Sequence, residues 1–381
     1  MSLTPFTEDY NKSAIPLPKE VLDILSDHSV RMIAASDRDH KSKPFITFLD
    51  DFEFERDRKH VWIPEYLSPL YGTEFYNTLN DEQKIVLNHM GWVAHYQYSV
   101  IGEVMTLKYN NACAAIFEAQ GYGDIARYLK RESEEEITHI ETFTRIGEKV
   151  EREYMGKASI RRRIGLNYDL PDTGFKDFSP WKATSFYYWL RGHQNVALRV
   201  REQDMQRTES PATLVKITTA HFRDETRHYA TSHLLAETLA EADKDLPNEL
   251  RLSHVCKLSF NGGQAGSNWI WPTVSVIPGV LIRETAALLS NPVFKLSRAG
   301  ILDVLESVYT RRPENEKWEG MRTRALRPTM KLNHKVPWLP DNLKDENKVA
   351  NTIKFNPDLG LAFARRSFAD FKKEWDAGIE N

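Results

Sequence analysis

The sequence has few cysteines and no long apolar run. Only two of its 381 residues are cysteine, Cys113 and Cys256, and no CxxC pair occurs, which excludes a thiolate zinc site and a disulfide scaffold. The most apolar stretch, Trp269–Ile282, contains two prolines and is too short and too broken to span a membrane. The N-terminus lacks a basic start followed by an apolar run, so no signal peptide is predicted. We therefore expect a protein of the reducing cytoplasm.

The charge balance shows no strong excess of either sign. The formal net charge is -3, with 28% charged and 41% hydrophobic residues. Such a balance argues against nucleic acid or an anionic membrane as a partner. The composition is that of an ordinary globular protein with a sizeable core.

Helix signals dominate the middle of the chain. Asn80 can cap a helix, and Gln83 completes a capping box. Asp124 follows a turn with two glycines, while Pro180 and Pro211 each follow a serine, as at first helical positions. The predicted helices cover about residues 80–111, 124–152, 180–207 and 211–243.

Four long helices in tandem, with short turns inside each pair, predict an all-α fold with a four-helix bundle. We expect one domain, 1–381, whose bundle spans about 80–243. The segments 1–79 and 244–381 would flank it. Further helices are predicted at 294–310 and 358–377.

Two Glu-x-x-His motifs lie in alternate helices of this bundle. Glu136 precedes His139 in the second helix, and Glu225 precedes His228 in the fourth. Residues three apart share a helix face, so each motif directs one carboxylate and one imidazole to a single point. That donor mixture suits iron(II), manganese or zinc. One such motif is weak evidence, but two in alternate helices match the di-metal carboxylate pattern, which also needs a Glu from each remaining helix.

The register of the first helix pair selects Glu103 as one of those acids. In an antiparallel pair, residues equidistant from the turn lie at the same depth, and Glu136 is level with about residue 107. Glu103 is the acid in that neighbourhood, within the apolar stretch 100–105. A carboxylate buried there is costly unless a cation compensates it.

The third helix lacks the expected acid. The residue level with Glu225 is Gln194, which follows His193. Glu202 is eight residues nearer the turn, about 12 Å along the axis. The alternatives are that His193 turns inward, that Glu202 reaches in from an offset helix, or that one metal site is loose or empty.

The fourth helix offers an additional imidazole. His221 lies on the same stripe as Glu225 and His228, and is either a further ligand or a hydrogen-bonded neighbour of the site. Glu135 and Asp224 each precede a motif glutamate. They are predicted to accept a hydrogen bond from a metal-bound imidazole, and solvated acids are the alternative.

These residues together resemble the p-aminobenzoate N-oxygenase family of ferritin-like di-iron enzymes. The resemblance rests on Glu103, on Glu136-x-x-His139, and on His221-x-x-x-Glu225-x-x-His228 over about residues 80–240. It implies two iron ions, with a manganese–iron pair as the alternative, and O₂-dependent oxidation of a small arylamine at nitrogen. It is also compatible with a homodimer. Electrons must come from an external donor such as a reductase or ferredoxin, since no flavin or nicotinamide site is visible in the sequence. The family's third-helix glutamate is replaced by Gln194, which removes one negative charge.

Other interpretations remain beside N-oxygenation. The same cluster would serve a di-iron oxygenase or desaturase acting on carbon, a non-catalytic iron-binding or oxygen-sensing protein, or, without metal, a helical interaction protein. No catalytic side chain is needed beyond the cluster. Candidate anchors for a substrate carboxylate are Arg191, Arg199, Arg201, Arg223 and Arg227.

Overall fold

The computed structural model describes most of the chain. The described residues are 7–40, 44–68, 70–158, 160–161, 178–207, 209–242, 278–310, 316–339, 341–347 and 368–378.

Helices make up nearly all regular structure in these ranges, which contain no strand. The α-helices are α1 (Glu8–Lys12), α2 (Lys19–His40), α3 (Phe48–Asp51), α4 (Phe54–Asp57), α5 (Glu74–Thr78), α6 (Asp81–Ala119), α7 (Gly123–Met155), α8 (Pro180–Met205), α9 (Ala212–Ala242), α10 (Pro278–Leu289), α11 (Arg298–Thr310) and α12 (Glu316–Lys335). Short 3-10 helices lie at Phe45–Thr47, Glu65–Leu67, Pro292–Phe294 and Asp341–Leu343. Residues 368–376 are also helical.

The prediction of an all-α bundle is confirmed. Helices α6 and α7 form one antiparallel pair, α8 and α9 form the other, and the two pairs pack together as a ferritin-like four-helix bundle. The capping box of Asn80 and Gln83 opens α6, with both reciprocal hydrogen bonds at 3.0 Å. The single-domain division of the chain stays a prediction.

Helix α6 is longer than the sequence analysis predicted. It continues past Asn111 to Ala119, because residues 112–119 contain no helix breaker and the chain turns only at Gly121, with φ at +83°. Helix α2 was not predicted. Its signal was weak because apolar residues occupy only part of one face, and Leu25 is its one buried large apolar residue.

Two apolar clusters fill the bundle, and a polar layer separates them. One cluster contains the first half of α6, the second half of α7 and the α8–α9 turn; the other contains the opposite helix halves. All four helices therefore carry polar or charged side chains at mid-length, where the apolar pattern is interrupted. Among the described helices, none is both long and apolar enough to cross a membrane.

Described helices that follow the bundle in the chain pack on its outside. Helix α12 lies along α8, where a methyl group at Gly192 would come within 2.7 Å of Leu332 Cδ2. The helix predicted at 294–310 is present in shortened form as α11. Of the helix predicted at 358–377, only residues 368–377 lie in the described part of the chain.

Candidate metal centre

The six predicted ligands come together in the polar layer. All are buried: Glu103 on α6, Glu136 and His139 on α7, and His221, Glu225 and His228 on α9. The i, i+3 and i, i+4 spacings place each helix's donors on one face, directed into the bundle.

One nitrogen of each imidazole faces the carboxylates. His139 Nδ1 lies 3.2 Å from Glu136 Oε2, and His221 Nε2 lies 3.0 Å from Glu103 Oε1. His228 Nδ1 lies 3.1 Å from both Glu136 Oε1 and Glu225 Oε1. The donors form two neighbouring groups.

Each group is compact enough to surround one ion. The first contains Glu103, His139, His221 and Glu225, and the second contains Glu132, Glu136 and His228; within each, the donor atoms lie within 4.8 Å of one another.

The second nitrogen of each imidazole donates to an acid. His139 Nε2 lies 3.0 Å from Asp224 Oδ2, and His228 Nε2 lies 2.8 Å from Glu135 Oε2. A metal-bound imidazole usually makes this kind of hydrogen bond through its other N–H. Glu135 and Asp224 therefore occupy the positions that the sequence analysis expected.

Glu202 accepts the corresponding hydrogen bond from His221. Its Oε1 lies 2.6 Å from His221 Nδ1 and also accepts a hydrogen bond from the Tyr96 hydroxyl at 3.1 Å. Glu202 is eight residues before Ser210 and His221 is eleven after it, so the two are nearly level across the turn. Depth from the turn therefore pairs Glu202 with His221 and not with Glu225, the residue to which its level was compared in the sequence.

On α8, the neutral side-chain amide of Gln194 lies in the polar layer. Gln194 lines a small cavity with Glu103, Glu136 and Glu225. His193 faces the other way and donates from Nε2 to Asn333 Oδ1 at 2.9 Å. His193 is therefore directed away from the layer, whereas Glu202 contacts His221 and keeps its buried Oε2 without a hydrogen bond from the described residues.

Two charged residues that sequence reasoning did not assign to the site lie beside it. Arg191 Nη2 donates to Glu136 Oε1 at 2.6 Å, and Arg191 Nη1 forms an ion pair with Glu132. Glu132 also accepts from Asn110 at 3.1 Å and from Tyr128 at 2.8 Å. Helical spacing carried the signal for both, because Glu132 is one turn before Glu136 and Arg191 is three residues before Gln194.

Glu135 and Asp224, here called the outer acids, also contact cationic side chains of α9 and α2. Arg227 donates to Asp224 Oδ1 at 2.6 Å and to Glu135 Oε1 at 3.0 Å. His40 Nε2 lies 3.2 Å from Asp224 Oδ1 and 3.4 Å from Glu135 Oε1. The outer acids are thereby held by cations on both α9 and α2.

The electrostatics of the metal-free site favour protonated imidazoles. Burial lowers the pKa of His139, but Asp224 and Glu136 outweigh that effect and raise it to about 9. Burial raises the pKa of Glu103 to about 7. Protons on these groups take the place of a cation, and a metal ion that binds here must displace them.

The donor set fits divalent metal ions. The two groups contain four carboxylates and three imidazole nitrogens, which match the ligand preference of iron and manganese. Glu103 Oε2 is buried and accepts no hydrogen bond from the described residues. A bound cation would satisfy that oxygen.

The remaining candidates have other surroundings. Arg199 lies over the rings of Phe222 and Tyr229, with its guanidinium carbon 5.2 and 4.8 Å from their centroids. Arg201 is beside His95, at 3.4 Å. Arg223 is exposed. Of the five arginines considered as substrate anchors, Arg191 alone lines the cavity.

Comparison with known proteins gives one match. Residues 34–213, a little under half of the chain, match a family described as acyl halogenase CylC-like. No curated protein and no solved structure matches the chain. The matched range contains Glu103, Glu136 and His139 and ends before α9 contributes its donors. The finding supports an oxidoreductase-type enzyme, and the family found is not the p-aminobenzoate N-oxygenase family that the motifs resemble.

Proposed function

We propose that this protein is a metal- and O₂-dependent oxidoreductase that replaces a hydrogen on a carbon of an acyl substrate by a halogen. The observation that carries the proposal is Gln194, a neutral amide at the level where a fourth carboxylate is expected. The metals would be two iron ions, or a manganese–iron pair, held by the two groups of donors.

The protein's own residues would bind the metal ions and orient the imidazole ligands. Glu103, Glu136 and Glu225, with the three imidazoles, would hold the ions, and Glu135, Asp224 and Glu202 fix the ring orientations. The ions would supply O₂ activation, the step that no side chain here can perform. The two apolar clusters on either side of the layer keep bulk water from the site.

The family match and Gln194 together favour carbon over nitrogen as the atom oxidised. Acyl halogenation is what the description of the matched family names. A halogenase must admit a halide ion in addition to O₂. The neutral amide of Gln194 repels an anion less than a carboxylate at that position would.

The proposed reaction balances with an external electron donor. A C–H bond, one halide ion, one O₂, two electrons and three protons give a carbon–halogen bond and two waters. O₂ is reduced by four electrons, two from the donor and two from the oxidation of carbon and halide. A ferredoxin or a flavin reductase is the class of donor required.

A second candidate is N-oxygenation of an arylamine. It is favoured by His221, the additional imidazole on which the resemblance to N-oxygenases rests, whose Nε2 faces Glu103 at 3.0 Å. Here an amine, O₂, two electrons and two protons give a hydroxylamine and one water.

A product assay separates these functions. Iron-loaded protein would receive O₂, a ferredoxin with its reductase, bromide, and either medium-chain acyl thioesters or p-aminobenzoate. We expect an acyl product with the bromine isotope doublet in mass spectra. We expect it to be lost in Glu136→Ala and retained in Glu134→Ala, the exposed neighbour on the same helix.

Two other outcomes contradict the proposal. Oxidised p-aminobenzoate with unchanged acyl thioesters would establish the second candidate. Iron that cycles with O₂ and yields neither product would identify an iron-binding or oxygen-sensing protein.

A further inference from the structure

The negative charge of the inner carboxylates is smaller than the positive charge of two divalent metal ions. The inner carboxylates, Glu103, Glu136 and Glu225, carry three negative charges, whereas two divalent ions carry four positive ones. Arg191 does not alter this difference, because Glu132 forms an ion pair with it. The acids behind the imidazoles, Glu135, Asp224 and Glu202, lie one hydrogen bond further out, so a further monoanion directly on the ions would have to be held by nearby N–H donors.

The third helix leaves a place for that anion. The cavity beside the cluster is lined by Glu103, Glu136, Glu225, Arg191 and Gln194. Its free volume is about 30 Å³. One water needs at least about 10–15 Å³ of such space, so the cavity admits a water or a monatomic anion.

The cavity has donors suited to an anion. The Gln194 amide makes no hydrogen bond within the described part of the chain, and its Oε1 is 4.0 Å from where a methyl group on Gly102 would lie. The Arg191 guanidinium has five N–H donors in a fixed plane. It is held by Glu132 and Glu136, so its position does not depend on an anion.

We propose that Gln194 and Arg191 form a halide-binding site, which holds chloride or bromide in this cavity next to carboxylates of both donor groups. This inference rests on the proposed function and names where its halide binds. The three carboxylates that line the cavity repel an anion when no metal is present. Halide binding therefore requires the loaded cluster.

Cobalt(II) provides a test that does not depend on turnover, because its visible absorption responds to changes in its ligands. Cobalt-loaded protein would be titrated with bromide and chloride, with perchlorate at equal ionic strength as the control. We expect a saturable halide-dependent spectrum in the wild type and none with perchlorate. Protein without metal should show no halide-dependent change in melting temperature.

Substitutions assign the site. Gln194→Glu supplies the missing charge and should weaken bromide binding at least tenfold while retaining cobalt. Gln203→Glu makes the same chemical change at an exposed position of α8 and should leave bromide binding unchanged. Arg191→Met should weaken bromide binding about tenfold, and Arg191→Lys should weaken it less. The Lys variant serves as the test if the Met variant fails to fold.

The outcomes distinguish this inference from the proposed function. Bromide affinity that is unchanged in Gln194→Glu, or cobalt loading with no bromide effect, would overturn the halide site even if halogenated acyl products form. Bromide binding at Gln194 without any halogenated product would support the site and count against the proposed reaction.

Discussion

At the residue scale, the pairing of each imidazole with its own acid is the most informative feature. His139, His221 and His228 each have one nitrogen toward the cluster and one toward an acid. This arrangement fixes the donor nitrogen before any ion binds. Loss of an outer acid should therefore loosen the metal without removing a ligand.

Glu202→Gln tests this directly. The amide cannot accept the His221 hydrogen bond as strongly as a carboxylate, so we expect iron affinity to fall about 10–100-fold. Competition with a chelator measures the change. Glu209→Gln, at an exposed position in the following turn, is the matched control. Equal affinity in the two variants would show that Glu202 does not position His221.

Sequence reasoning reached some of these residues and not others. Helical spacing is enough to place Glu136 with His139 and Glu225 with His228, and depth from the turn is enough to select Glu103. Glu132 was hidden in a run of acids, and Arg191 was one of several arginines on its helix. Their pairing becomes visible only when α7 and α8 are packed together.

At the element scale, caps, turns and apolar periodicity in the sequence predict the long helices of the bundle. They do not predict the outer helices. Asn80, Gly121 and Pro180 mark ends that local chemistry determines. Helix α2 packs Leu25 and Ile33 against an apolar cluster of the bundle, and His40 adds polar contacts with Asp224 and Glu135. Such long-range contacts leave no periodic signal in the sequence.

Alanine substitutions at two glycines, Gly192 on α8 and Gly320 on α12, should change the stability of the protein in opposite directions. A methyl group at Gly192 would lie 2.7 Å from Leu332 Cδ2, whereas one at Gly320 would meet nothing within 4 Å. Gly192→Ala should destabilise the protein by about 1–3 kcal/mol through overpacking. Gly320→Ala should stabilise it by roughly 0.5–1 kcal/mol through helix propensity. Denaturant unfolding measures both, and stabilisation by Gly192→Ala would contradict the close packing described here.

At the scale of the whole molecule, a charged layer lies between two apolar clusters. Without metal, that layer is held together by protonated imidazoles and ionised acids. Its contribution to folding therefore depends on pH.

His40 shows the direction of that dependence. Hydrogen bonds to Asp224 and Glu135 raise the pKa of His40 to about 9. A raised pKa means stabilisation that is complete below the unfolded pKa, about 6.5, and is lost as the pH rises to about 9. Metal-free protein should accordingly melt several degrees lower at pH 9 than at pH 6.5.

The variant His40→Gln isolates this effect. It should be less stable than the wild type at pH 6.5, and the difference should shrink by pH 9. Differential scanning calorimetry at both pH values provides the comparison. A difference that stays constant with pH would show that the charge of His40 does not stabilise the fold.

The central claim is that the polar layer binds a pair of metal ions. The most direct measurement is iron per chain after anaerobic loading, by elemental analysis of wild-type protein, Glu136→Ala and Glu134→Ala. The account predicts two irons per chain in the wild type and in Glu134→Ala, and a loss of iron in Glu136→Ala, because Glu136 contacts donors of both groups. One iron or none in the wild type, or equal iron in all three proteins, would contradict it.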